Sequence, residues 1–151
     1  MIHDAILQFL HISAILALVV FVTSLAALCR PEWMNADIVR RLGTANRIYG
    51  WAAIAVLVTG LIRIFWGTKG AAFYGTNWLL HLKLALFVAV ALISSGPTRR
   101  FRRWRTELEA TGALPPADDV RAARKLVMLQ AHIIPIIPLA AVFLARGFGG
   151  R

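Results

Sequence analysis

Four apolar blocks, at residues 5–28, 48–66, 78–95 and 126–144, dominate this 151-residue chain. A helix rises 1.5 Å per residue, so roughly 20 apolar residues cover the ~30 Å hydrocarbon core of a bilayer. Every block is close to that length or beyond it. Inside lipid each backbone N–H and C=O needs a partner within the segment, which makes such a block a helix. The sequence therefore predicts an all-α integral membrane protein: one transmembrane domain over residues 1–151, a four-helix bundle in up-down order. Composition agrees. The chain is 59% hydrophobic and 16% charged, against ~45–50% and ~25% for a soluble domain.

The first block, AILQFLHISAILALVVFVTSLAAL, is too long for a signal peptide. Asp4 precedes it, with no Lys or Arg. Leu28 is a poor residue before a lipoprotein cysteine, so the block reads as a retained helix. Cys29 is the only cysteine, which excludes an internal disulfide and a cysteine metal cluster. Arg30 and Pro31 end the block, and the polar stretch from Glu32 to Asn46 reads as a short interfacial helix. Tyr49, Trp51, Phe65 and Trp66 sit near the ends of the second block, where aromatic residues meet headgroups. GTKGAAFYGTN follows as a turn that places Phe73 and Tyr74 at the same level. Gly96-Pro97 closes the third block. A basic connection over 97–125 contains a break at Gly112, Pro115 and Pro116, then Asp118-Asp119 as the N-cap of the last helix. Pro135 and Pro138 should kink that helix.

The net charge is +10, and its placement decides its meaning. Arg30, Arg40, Arg41 and Arg47 flank the first connection. Arg99, Arg100, Arg102, Arg103, Arg105, Arg121, Arg124 and Lys125 fill the third. The opposite side and its margins hold Arg63, Lys69, Lys83, Arg146 and Arg151. The positive-inside rule puts the first group in the cytoplasm and both termini outside, in the periplasm if the membrane is a bacterial inner membrane. The run from Arg99 to Arg105 reads as a surface helix whose arginines meet anionic headgroups while Phe101 and Trp104 dip into the interface. No nucleic-acid motif accompanies the charge. Assembly with further copies of the chain is left open.

Ionisable groups within spans are costly and mark functional candidates. His11, Arg63 and His81 fall at similar depths, one or two turns from the outer ends of three helices. Lys83 follows His81 by two residues. Helical spacing aligns Asp4, Gln8 and His11, and separately Thr59 with Arg63 and Asn77 with His81. These stripes should face the bundle interior. Haem b is the sharpest chemistry they suggest: facing helices supply imidazoles to the iron, here His11 and His81 on diagonal helices. Arg63 and Lys83 would pair with the propionates. His132, deeper and beside Pro135, is the alternate ligand. Met128 with His132 offers a weaker copper reading. The competing view is that these histidines only hydrogen-bond between helices. No Walker motif, nucleophile elbow, HExxH or paired carboxylate occurs.

FLHISAILAL, CRPE, NRIYGWAAIAVLVTGLIRIFWGTKGAAFY, WLLHLKLALF and ARGFG together resemble an uncharacterised bacterial family of four-helix membrane proteins, a domain of unknown function. That resemblance spans nearly the whole chain and implies the fold and location only. A more distant similarity is to HemJ-type protoporphyrinogen oxidases and CopD-like copper membrane proteins. His11, Arg47 with Tyr49, and Lys83-Leu84 carry it. It implies haem b at His11, a porphyrin- or quinone-type substrate, and cofactor contacts at Arg47 and Tyr49. The chain departs from the HemJ-type pattern in having aliphatics after His11, no histidine in Cys29-Arg30-Pro31-Glu32, and Arg47 in place of a lysine. Those changes bear on porphyrin oxidation more than on haem binding.

Overall fold

The computed structural model describes residues 2–66 and 78–146, apart from the side chains of Ile64, Trp66, Leu144 and Ala145. The expected turn with Phe73 and Tyr74, the residue Asn77 and the end of the ARGFG tail lie outside these residues. The elements are α1 (Ile2–Leu28), a 3-10 turn (Pro31–Trp33), α2 (Ala36–Trp66), α3 (Trp78–Thr111), α4 (Ala117–Ile133) and α5 (Ile136–Ala145). The described residues are helical with no strand. Four stretches are long and apolar enough to cross a membrane, the last formed by α4 and α5 together. The helices pack as a ring, α1 on α2, α2 on α3, α3 on α4 and α5, and α4 back on α1. Thus α1 and α3 are diagonal, as the up-down reading requires.

The outside of this ring is apolar. Phe9, Leu16, Trp51, Val88, Leu92 and Val142 are all more than half exposed. So much outward apolar surface suits lipid, not water.

Three boundaries differ from the sequence reading. First, no separate interfacial helix precedes the second span. Asn35 Oδ1 accepts the Ile38 N–H at 2.9 Å, an N-cap that starts one helix running unbroken to Trp66. Its polar first half buries Val39, Leu42, Ala45 and Tyr49 on one side, so the helical period outlasts the apolar composition. Second, α3 does not stop at Gly96-Pro97 but continues to Thr111. Proline costs that helix the N–H that Ile93 C=O would receive. Packing offsets the loss: Pro97 is buried. Gly96 admits Leu126 so closely that a Cβ there would lie 2.8 Å from its Cδ1. The helix ends instead at Gly112, whose φ of 72° and N–H to Leu108 C=O at 2.9 Å form a glycine C-cap. Third, Pro116, not Asp118 or Asp119, occupies the N-cap of α4, without a side-chain cap bond. The expected kink is present. Helix α4 ends at Ile133, and Ile137 N–H takes the Ile134 carbonyl at 3.2 Å, the acceptor that Pro138 cannot serve.

The arginine run is also placed differently. Phe101 and Trp104 are 1% exposed, inside the protein rather than in the interface. They meet edge to face with centroids 5.3 Å apart, among Val39, Leu42, Leu108 and Val120. Asp119 of α4 seals this core. It accepts hydrogen bonds from Trp104 Nε1 at 2.7 Å and Arg100 Nε at 3.0 Å, and it also holds Arg103. Arg124 caps the end of α1 by donating to Ala26 and Cys29 carbonyls at 2.8 and 3.2 Å.

Nearer mid-bundle, Tyr49 leaves the interfacial role expected of it. Its hydroxyl donates to Gln130 Oε1 at 2.9 Å, and Gln130 Nε2 donates to Leu126 C=O at 3.2 Å. This bond ties α2 to α4 across the ring. Tyr49→Phe should lower stability by about 1–2 kcal/mol, because Gln130 keeps a buried oxygen with no donor. The double variant Tyr49→Phe/Gln130→Leu should recover part of that loss. Thermal unfolding of the detergent-solubilised protein measures both.

Candidate functional site

Towards the end of the bundle away from the arginine-rich connections, a cavity of about 320 Å³ opens between the helices. That is within the size range of small-ligand sites. Its walls are mainly apolar. The polar groups lining it are Gln8 and His11 from α1, Arg63 from α2 and Lys83 from α3. The expected stripes reach the cavity in part: Gln8 and His11 line it from α1 and Arg63 from α2, with Thr59 against His11, whereas Asp4 does not line it and His81 is exposed.

His11 is 4% exposed and is fixed by a short relay. Its Nδ1 lies 2.7 Å from Thr59 Oγ1. Thr59 Oγ1 in turn lies 2.6 Å from the Ala55 carbonyl of its own helix. A carbonyl only accepts, so the hydroxyl proton is directed to Ala55 and the hydroxyl lone pair is left for His11. The relay thereby assigns the proton of a neutral His11 to Nδ1 and leaves Nε2 as a lone-pair donor. Gly60 makes room for the ring. A Cβ at Gly60 would approach His11 Cε1 to 3.3 Å, tighter than ordinary contact.

The charges of Arg63 and Lys83 both act on His11, and that of Arg63 acts on Lys83. No carboxylate lines the cavity among the described residues. Two cations in an apolar recess without an anion favour a ligand that is apolar and acidic. A planar macrocycle with two carboxylates satisfies that description, and His11 Nε2 is a suitable axial donor. One imidazole and two cations are thus the groups through which a haem would be held here.

The remaining expected site residues are elsewhere. His81 is exposed and does not line the cavity with His11. Being two residues before the inward Lys83, it is carried to another face of α3, so the structure does not bring the two imidazoles of the expected clamp together. His132 is also exposed, with Nδ1 2.6 Å from the Met128 carbonyl. Met128 packs against the core while His132 and Pro135 are exposed, so these neighbours on one helix do not point together into the bundle. No cluster of three His, Cys, Asp or Glu able to hold a metal ion occurs among the described residues. Arg47 and Tyr49 belong to a separate groove at the other end. Gly60 was missed in the sequence, and Thr59 was placed on an inward stripe without its role as the partner of His11.

No curated protein and no solved structure matches the chain. One family model does, over residues 3–149, which is nearly the whole chain. Together with four helices fit to span a bilayer, this shows that the chain belongs to the predicted membrane protein family DUF2214.

Proposed function

We propose that the protein is a haem-b-binding membrane redox protein of the bacterial inner membrane, with the cavity and both termini on the periplasmic side. His11 Nε2 would hold the iron, and Arg63 and Lys83 would pair with the propionates. The observation that carries this reading is the relay from Ala55 through Thr59 to His11, which holds the imidazole in the tautomer a metal ligand needs. Haem bound there supplies a one-electron couple, serving electron transfer or the oxidation of a porphyrin- or quinone-like substrate. His11, Thr59 and Gly60 set the ring, the two cations orient the acidic edge, and the apolar walls exclude water. Of the residues carrying the HemJ-type similarity, His11 and Lys83 line this cavity, while Arg47 and Tyr49 do not.

The test is spectroscopic. Protein expressed with haem supplementation and purified in mild detergent is expected to give b-type bands in reduced-minus-oxidised spectra. Colourless protein would remove the proposal. Gly60→Val, which adds bulk beside His11, should weaken haem retention several-fold without abolishing the fold.

A second reading, a non-enzymatic assembly or structural bundle, is favoured by the same inter-helix bonds. His11–Thr59, Tyr49–Gln130 and Asn46–Thr98 all join separate helices. On that reading His11 substitution alters only detergent stability. Copper handling of the CopD type finds little support in the outward His132.

A further inference from the structure

A second cavity, of about 390 Å³, lies between α2 and α3 at the arginine-rich end. Leu18 of α1 and Ile137 of α5 form its back, so it opens sideways between two spanning helices, where lipid lies. Its mouth is set by Arg47, Arg102 and Arg105. Asn46 Nδ2 and Thr98 Oγ1, 3.2 Å apart, bridge the two helices beside it. Deeper in, Ala53, Phe87 and Val90 make it apolar.

Most carboxylates of this end are held by other arginines. Asp119 holds Arg100 and Arg103, Glu109 holds Arg105, Asp37 holds Arg40 and Asp118 holds Arg121. No Asp or Glu lines the groove among the described residues. Arg47 and Arg102 form no ion pair among the described residues, and Arg105 shares only an exposed one. The groove therefore offers guanidinium charge at its mouth, hydroxyl and amide groups below it, and hydrocarbon beneath. From Gly43 to Ala53 the helix covers roughly 15 Å, enough for a headgroup and the upper part of an acyl chain. Arginine forks match phosphate oxygens.

We infer that this groove binds one anionic phospholipid. Its phosphate is held by Arg47 and Arg102 with Arg105 alongside, and an acyl chain lies over Ala53, Phe87 and Val90. A bilayer source is favoured over a dissolved anion by the sideways mouth and the apolar depth. The inference is independent of haem, since it uses the opposite end of the bundle.

Gly50 gives a clean test. It lines the groove, and a Cβ there would meet nothing within 4 Å. Gly50→Leu thus fills the groove while leaving the arginines in place. Native mass spectrometry in neutral detergent would compare retention of phosphatidylglycerol and phosphatidylcholine with matched chains, with inorganic phosphate as competitor. The wild type should retain phosphatidylglycerol at least about tenfold better, given ~1 kcal/mol per basic side chain near an anionic lipid. Gly50→Leu and Arg47→Gln/Arg102→Gln should each remove that preference, and Arg99→Gln should not. Equal retention of the two lipids would overturn the inference. So would an unchanged preference in Gly50→Leu or in the double arginine variant. Displacement of the lipid by millimolar phosphate would show a soluble-anion site instead.

Discussion

His11→Ala should emerge from haem-supplemented expression without b-type absorbance, whereas His81→Ala and His132→Ala should keep the wild-type band. Only His11 combines burial, a fixed tautomer and a place on the cavity wall. The more discriminating variant is Thr59→Val. It preserves shape but removes the hydroxyl that accepts from Nδ1. Loss of such an outer-sphere partner usually costs 10–100-fold in metal affinity, so haem retention should fall by about that factor. On the structural reading, His11→Ala and Thr59→Val would lower melting temperature by similar amounts, and neither would change any pigment. Spectra and melting curves recorded on the same samples separate the two outcomes.

Asp119→Ala is expected to be the most damaging single polar substitution, at about 3 kcal/mol. It removes the acceptor for the buried Trp104 indole N–H and leaves Arg100 and Arg103 without their shared anion. Asp119→Asn should cost less, because an amide oxygen still receives one donor. The same site has a pH signature. Burial tends to raise the Asp119 pKa. The hydrogen bonds from Trp104 and Arg100 and the charges of Arg103 and Arg100 outweigh it, holding the carboxyl below its ordinary value of 3.8. A lowered folded-state pKa means that the ionised form is the one the fold stabilises. Its contribution is complete above about pH 4 and declines as pH falls through the folded value. Melting temperature in detergent should drop below pH 4 in the wild type, with a shallower drop in Asp119→Asn.

Much of the fold was legible because lipid simplifies the code. Long apolar blocks leave a helix as the only solution, and the four spans appear at their expected places. Their ends were less legible. The polar half of α2 and the arginine-rich half of α3 continue as helices because one face still packs, and composition averaged around the helix hides that face. At Gly96-Pro97 the local rule against proline lost to tertiary packing, with Pro97 buried and Leu126 close against Gly96. In the candidate site, depth could be counted from the helix ends, and it brought His11, Arg63 and His81 to one level, with Lys83 two residues on. Rotation could not be counted. One hundred degrees per residue separates facing the cavity from facing away, and His81 falls on the wrong side. Tyr49 and Gln130 were hidden for another reason: each looks ordinary alone, and only the fold brings the two together.

The length of α3 has a consequence for how the molecule sits in membranes of different thickness. Its 34 residues extend roughly 50 Å, about 20 Å more than a hydrocarbon core requires. The surplus is not a loose tail. Phe101, Trp104 and Leu108 pack there with Val39, Leu42 and Val120, under a collar of arginines and carboxylates, as in a small water-soluble domain. Hydrophobic mismatch is usually met by tilting helices or deforming lipid. Here the collar fixes one water boundary at the packed arginine-rich end. A thinner or thicker bilayer is then accommodated at the opposite rim, beside the His11 cavity.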